Sequence, residues 1–532
     1  MPTSTLRQRR KSGGGSRPLK PKSSARGRTS SGAAAAVLEV LGVRKLRGDP
    51  ARSPDERRAW RVDLLVAAML LLVALATRFY RLAVPAKIVF DEWHFAAFVD
   101  NYLSGKYLFD IHPPFGKLTL SLAAKLGGYV NRNYTFNNLG QPYGDLVYYP
   151  QRVVSASVGS LIPSVMYLIA RALGLDPLVS ATVGAMPLLD MLLCIESRLI
   201  LTDSQLVLYS QLALLCALYL WATPKSTPKR YMWLTLTAVF GACAVSTKWT
   251  AIVTPGLIAL VSLTGAIFPL EGPLDLLEMA YAGALAIGIY MGTFWVHFRL
   301  LPLSGPGDAF MPIEFQQTLV GSEYYRQNDA SKVAAPGFVE NFRYLNWEML
   351  RANSAIEMRH HWESAWHEWL YNARGILYID EDAGSGNREM IYLISNPVLT
   401  VVSGCGVLFG LSLLLATPVI LWRGRMSGAL SAVRKRAGVV FVLVSGWVLN
   451  LVPYIGVRRC TFLYHVLPAL QLASLLAGVA LQTVPSRRVR TALCVAVVAA
   501  MAAAFWYWRA WTYALERSYD ELKALRWMPR WD

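Results

Sequence analysis

"VDLLVAAMLLLVALATRFYRL", residues 62–82, decides the class of this chain. About 20 mostly apolar residues in a helix cross the hydrocarbon of a bilayer, and this run has that length. Comparable blocks follow near 153–172, 177–195, 204–222, 232–247, 250–268, 277–297, 393–421, 438–456, 462–482 and 491–510. Over 532 residues the chain is 54% hydrophobic and only 16% charged, with its apolar residues in long blocks. The expectation is an all-α polytopic membrane protein with about eleven transmembrane helices. The first block lies far from the N-terminus and is long enough to span, so it is expected to act as an uncleaved anchor.

The formal net charge of +19 is concentrated ahead of that block, because residues 1–61 carry sixteen Lys/Arg against four Asp/Glu. "RQRRKSGGGSRPLKPKSSARGRTSSG" is rich in Gly, Ser and Pro and cannot bury enough apolar surface to offset ordering. Residues 1–61 therefore read as a disordered basic tail in the cytosol that sets orientation, with no nucleic-acid partner. With that tail inside, "PKSTPKR" (224–230), "RGRMSGALSAVRKR" (423–436) and "PSRRVR" (485–490) also fall on the cytosolic side, as the positive-inside tendency requires. The acidic "PLEGPLDLLE" (269–278) does not fit that trend. The odd span count puts the C-terminus on the far side, where 511–532 reads as an aromatic interfacial tail. The six cysteines lie in or beside apolar segments without metal-type spacing and read as small buried hydrophobes.

Two long segments then face the non-cytosolic side, 83–152 and 298–392. In the first, "KLTLSLAAKLGGY" (117–129) suggests a short interfacial helix, with Lys117 and Lys125 set among Leu118, Leu120, Leu122, Ala123 and Leu126. The unusual polar residues collect on this same side: Asp91, Glu92, His94, Asp110, His112 and Arg152, then Glu196, Arg198, Asp203, Lys248, His360, His361, Arg458, Arg459 and His465. Charges near hydrocarbon are costly and mark function, so the set reads as one site at that surface. Adjacent carboxylates such as Asp91 and Glu92 can supply a general base, and arginine suits phosphate through parallel hydrogen bonds from a permanently charged group. The combination points to transfer of a group from a lipid-linked phosphate. A metal centre built from His94, His112, His360 and His361 has no ligand spacing to support it, and no metal or cofactor is expected.

These motifs, in order from about residue 62 to about 475, resemble the eukaryotic protein O-mannosyltransferases. "FDEWHFAAF" resembles the family's Asp-Glu-x-His-Phe segment and "DIHPPFGKL" its Asp-x-His-Pro-Pro-x-x-Lys segment. "LGGYVNRNYTFNNLGQPY" is similar to the Gly-Tyr-rich stretch before an arginine, here Arg152 in "PQRVVSA". "SGPGDAFMPIEFQQTLVGS" (304–322) is the most specific match, and "HHWESAWHEWL" (360–370) and "RRCTFLYHVLPAL" (458–470) resemble the two later segments. The chain departs from the family at Trp362, Trp366, Leu370, Tyr464 and Val466, and it has no room between 315 and 342 for the β-trefoil MIR domain that most members carry there.

The resemblance implies a GT-C-type glycosyltransferase fold over 62–510 with two long luminal loops, 83–152 and 298–392, in the endoplasmic reticulum membrane. It implies inverting transfer of mannose from dolichyl-phosphate mannose to Ser/Thr hydroxyls of acceptor polypeptides, by a chain expected to form a homodimer or a heterodimer with a related transferase. Asp91 is then the general base, Glu92 orients it, Arg152 binds the lipid phosphate, and Asp110, His112, His360 and Arg459 contact sugar or phosphate. A non-catalytic subunit or chaperone, and another GT-C transferase using a lipid phosphosugar, are the alternatives. "NYT" (133–135) is a glycosylation sequon in the first luminal loop.

Overall fold

The computed structural model describes residues 54–131, 134–267, 274–325, 335–423 and 437–531. The basic tail before residue 54, Asn133 of the sequon, and the segment 326–334 where a MIR domain would insert lie outside the described residues. In chain order the helices are α1 (Pro54–Phe79), α2 (Glu92–Ser104), α3 (Phe115–Leu126), α4 (Tyr149–Ala172), α5 (Pro177–Leu188), α6 (Met191–Glu196), α7 (Asp203–Ala222), α8 (Pro228–Thr247), α9 (Val253–Ile267), α10 (Leu276–Leu300), α11 (Ile313–Gln316) and α12 (Phe338–Ser354). Strands β1 (Ile376–Gly384) and β2 (Asn387–Leu393) follow, then α13 (Pro397–Arg423), α14 (Ala437–Leu451), α15 (Leu467–Thr483), α16 (Arg487–Tyr507), α17 (Arg509–Tyr513), β3 (Arg517–Ser518) and α18 (Tyr519–Ala524).

The apolar blocks of the sequence fall mainly on helix, and eight helices among the described residues are long and apolar enough to cross a membrane. Burial sorts them. Helices α4, α7 and α15 are largely covered by protein, whereas α1, α10 and α16 leave most of their apolar side chains uncovered, as expected of helices that face lipid. The expected span 177–195 is not one helix. It ends at Leu188, and Asp190 starts α6 by accepting from the Leu193 amide at 3.3 Å. The same carboxylate accepts from Ser395 Oγ (3.0 Å) and the Asn396 amide (2.9 Å), so the break ties α6 to the start of α13.

The acidic loop that did not fit the charge trend has a local explanation. Asp275 and Glu278 form a reciprocal cap on α10, and Glu278 is buried in an ion pair with Arg230 of α8. Its charge is neutralised inside the protein by that pair.

The second long loop also differs from expectation, because it carries a sheet that hydropathy does not reveal. β1 and β2 form an antiparallel hairpin in register from Ile376↔Leu393 to Gly384↔Asn387, turned through Gly384, Ser385 and Gly386, all with positive φ. β3 adds to β2 from the C-terminal segment. That segment, expected as an interfacial tail, is packed against the rest of the protein. Trp508, Trp511 and Trp531 are buried, Trp531 Nε1 donates to the Asn372 carbonyl at 2.9 Å, and Arg530 pairs with Glu368. The interfacial helix is present as α3, but its faces are reassigned: Lys117 is buried and Leu122 and Leu126 point outward.

"SGPGD" (304–308) supports the first loop from the second. Ser304 Oγ and the Gly305 amide donate to Asp308 at 2.6 and 2.9 Å, closing a tight loop. Its glycines lie against the backbone of Tyr107–Phe109, which leads into Asp110, and a Cβ at Gly305 or Gly307 would overlap backbone atoms there. Backbone cannot rotate aside as a side chain can. Gly307→Ala is expected to lower stability by about 1–3 kcal/mol while Gly283→Ala, inside α10 where a Cβ meets open space, does not lower it; thermal unfolding of the purified variants in detergent measures both.

Candidate functional site

The sequence places Phe90 between the first span and α2, and its backbone takes the left-handed conformation at φ 48°. Asp91 follows as the residue capping α2, and Glu92 is its first residue. The bend separates the two carboxylates. Asp91 faces a cleft of about 350 Å³, and Glu92 turns into the protein and is completely buried.

Glu92 is held by five donors. Arg152 Nε and Nη2 each approach a carboxylate oxygen at 2.8 Å, the Ile200 amide donates at 2.8 Å, the Val89 amide at 3.1 Å and the Tyr143 hydroxyl at 3.2 Å. Arg152 spends its remaining donors on the carbonyls of Leu82, Pro85 and Lys87, with the Tyr148 ring 4.9 Å from its guanidinium carbon. Arg152, expected at the lipid phosphate, has its donors engaged within the protein and does not line the cleft. It ties the end of the first span, the Asp91 segment and α4 into one unit.

The second motif supplies another wall. His-Pro-Pro makes a rigid turn into α3, and Lys117 folds back to donate to the carbonyls of His112 (2.7 Å) and Pro113 (3.1 Å) and to Asp110 at 2.5 Å. Burial pushes the Asp110 carboxyl up, but Lys117 and His112 pull it further down, so it stays below its ordinary value and ionised. His112 is held down to about 3 by burial, so its ring is neutral near pH 7.

The cleft is completed from the later helices. Lys248, just after α8, pairs with Asp203 at the start of α7 at 2.7 Å and lies 5.6 Å from the Tyr464 ring centroid. Arg459, Tyr454, Phe462 and His465 close the opposite side. Asp91 thus shares one cavity with His94, Asp110, His112, Asp203, Lys248 and Arg459. Burial raises the Asp91 carboxyl above the ordinary carboxylate value, against the lowering effects of His94 and Lys248.

The polar set read from the sequence therefore divides into three. One group lines the cleft, a second (Glu92, Arg152, Glu196, Arg198) is buried behind it, and His360, His361 and Arg458 are exposed. His360 sits outside the lining, with its ring 5.3 Å from Phe462, which does line it. Arg198 donates to the Arg78, Tyr80 and Arg81 carbonyls, satisfying the end of α1. Sequence reasoning placed Asp203 and Lys248 in the polar set without giving either a role, and left Lys117 out of it. For Asp203 and Lys248 the available signal was a charge at each non-cytosolic helix end; for Lys117 it was its place in the His-Pro-Pro segment.

Comparison with known proteins agrees with the motif order. Residues 68–302 match the family described as dolichyl-phosphate-mannose-protein mannosyltransferase, and residues 338–531 match the C-terminal four TMM region of protein-O-mannosyltransferase. The chain belongs to the protein O-mannosyltransferase family. It is 36% identical over 287 residues to dolichyl-phosphate-mannose--protein mannosyltransferase 4 of Schizosaccharomyces pombe, a match covering 48% of this chain and 34% of that protein. It is 31% identical over 273 residues to protein O-mannosyltransferase 1 of Drosophila melanogaster, covering 49% and 30%. The chain thus spans about a third of the length of the curated relatives it matches. Its fold is that of the S. cerevisiae protein O-mannosyltransferase Pmt1-Pmt2 complex bound to the sugar donor, with a TM-score of 0.79 at 18% identity over 93% of this chain and 94% of that one. The protein is a polytopic membrane protein of GT-C fold.

The role assigned to Arg152 has a direct test. Removing one member of a buried pair leaves an uncompensated charge, at about 3–5 kcal/mol, and lysine cannot reproduce the two-pronged contact. Arg152→Lys and Arg152→Ala are both expected to lower the thermal unfolding midpoint sharply. Donor binding to the folded fraction should be unchanged; a selective loss of donor affinity without loss of stability would return Arg152 to the phosphate.

Proposed function

We propose that this chain transfers mannose from dolichyl-phosphate mannose to Ser/Thr hydroxyls of acceptor polypeptides at the luminal face of the endoplasmic reticulum membrane, with inversion at the anomeric carbon. The observation that carries the reading is the meeting of Asp91 with Lys248 and Arg459 in a single cleft, in a member of this family. A carboxylate opposite two cations suits a reaction that removes a proton from the nucleophile and leaves a negative phosphate behind.

In this mechanism the acceptor hydroxyl approaches Asp91, which takes the proton as the oxygen attacks the anomeric carbon. The glycosyl–phosphate bond breaks, and the departing phosphate carries its charge away as a phosphodiester becomes a phosphomonoester. Lys248 and Arg459 are the groups that stabilise that charge, and the Asp203 carboxylate holds Lys248 in position. Asp110, itself fixed by Lys117, and neutral His112 contact the sugar. Glu92 and Arg152 act through the backbone of residues 89–92. The N-terminus is cytosolic and the C-terminus luminal. The chain works as a homodimer or as a heterodimer with a related transferase, a reading supported by the two-protein complex that shares its fold.

Transfer is expected in microsomes supplied with dolichyl-phosphate mannose and a Ser/Thr-rich peptide, and Asp91→Asn at matched protein level is expected to lower it by about 100-fold or more. Equal transfer by the two proteins would remove Asp91 from the reaction; transfer by neither would favour a silent subunit. A second outcome concerns pH. A general base must be ionised, so activity should fall as pH drops through the raised Asp91 value. Because the Lys248 charge lowers that value, Lys248→Met should move the acidic limb of the kcat profile to higher pH, besides weakening donor use.

A further inference from the structure

Tyr378 lies in β1, nearly 300 residues from Asp91 in sequence, yet its ring stacks on Phe90 with centroids 4.2 Å apart and planes 7° from parallel. Phe90 is the residue immediately before Asp91 and holds φ at 48°, a conformation that bulky side chains adopt only when their surroundings enforce it. Phe462 and Tyr464 meet the Phe90 ring edge-on from 6.2 and 6.5 Å. The Tyr378 hydroxyl donates to Glu196, which is buried at the end of α6. The Tyr378 ring is thus fixed at its outer end by a hydrogen bond and lies face to face with the ring that must keep its place. On the other side of Asp91, Glu92 is fixed by Arg152. The carboxylate is therefore set from both of its neighbours, one held by charge and one by stacking.

We propose that Tyr378 is a positioning residue for Asp91. It clamps Phe90 in the left-handed bend that turns the Asp91 carboxylate into the cleft, and thereby makes the sheet of the second luminal loop a working part of the site. The inference rests on Asp91 being the base. Removing the ring frees Phe90 to relax toward an ordinary backbone conformation and swings the carboxylate away from the hydroxyl it must reach, although Tyr378 touches no reacting atom. The stack, not the hydroxyl, carries the larger share, because only the ring contacts Phe90.

The test measures kcat and donor KM for the full chain in microsomes, per amount of folded protein, with Tyr378→Phe, Tyr378→Leu and Asp91→Asn. Tyr378→Phe keeps the ring and should lose about tenfold or less, the scale of one hydrogen bond. Tyr378→Leu should lower kcat about 100-fold, the scale of a misplacement near 1 Å, with donor KM unchanged. Combined with Asp91→Asn, Tyr378→Leu should add no further loss, because both act through one group. Normal kcat in folded Tyr378→Leu, or a full additional loss on top of Asp91→Asn, overturns the inference. If Tyr378→Leu does not fold, Phe90→Leu removes the same stack from the other side and must give the same drop in kcat at constant KM. Asp91→Asn with wild-type transfer would overturn the base assignment itself, whereas an inactive Asp91→Asn beside a normal Tyr378→Leu overturns the positioning role alone.

Discussion

The buried ion pair between Glu92 and Arg152 is the constraint on which the rest of the site depends. Both side chains are removed from water, which is costly for each charge alone and tolerable here because the two are joined by parallel hydrogen bonds and every other strong donor is engaged. The pair joins four pieces of chain that are far apart in sequence: the end of the first span, the turn before α2, the start of α4 and the Ile200 backbone. A pair of aliphatic residues could fill that volume but could not bind carbonyls and amides from four directions. The charge is retained for geometry, and the geometry is that of the adjacent Asp91.

The two long non-membrane segments are interdependent. "SGPGD" of the second loop braces the extended segment that delivers Asp110, and Tyr378 of the same loop stacks on the residue before Asp91. The C-terminal segment in turn completes the sheet that carries Tyr378 and buries Trp531 beside Asn372. These contacts involve backbone and aromatic surfaces with little freedom to adjust, so the cleft behaves as a packed assembly and not as a set of mobile loops. Its charges are balanced in the same local way: Asp110 by Lys117 and Asp203 by Lys248, with Asp91 left as the cleft carboxylate pushed upward by burial. An acid that is accessible, poorly compensated and rigidly held has the properties that proton removal requires.

Much of this was legible in the chain. Blocks of apolar residues near the length of a bilayer crossing cannot be mistaken for amphipathic surface helices, and they lie mainly on helix. The collection of ionisable residues at one set of helix ends was visible too, because charge is rare in such a chain and its positions stand out. "YIDEDAGSGNREMIYL" (378–393) carried a readable hairpin signal in its Gly-Ser-Gly-Asn turn between β-forming runs, but hydropathy does not look for it. The break at Asp190 was hidden because a single acid inside an apolar block does not alter the average that marks a span.

What the sequence by itself determined is the membrane class, the rough position of the helices, and the helix ends at which polar residues gather, since these follow from local composition against the fixed thickness of hydrocarbon. Which of two adjacent carboxylates faces the cleft was decided only by tertiary structure. Asp91 and Glu92 are chemically near-equivalent, and their opposite fates come from a left-handed turn at Phe90 together with an arginine sixty residues away. The same holds for Arg152, Lys248 and Arg459, three basic residues that composition cannot tell apart. Long-range packing makes the first a buried clamp and leaves the other two lining the cavity, because burial and partner are properties of the folded contact and not of the residue type.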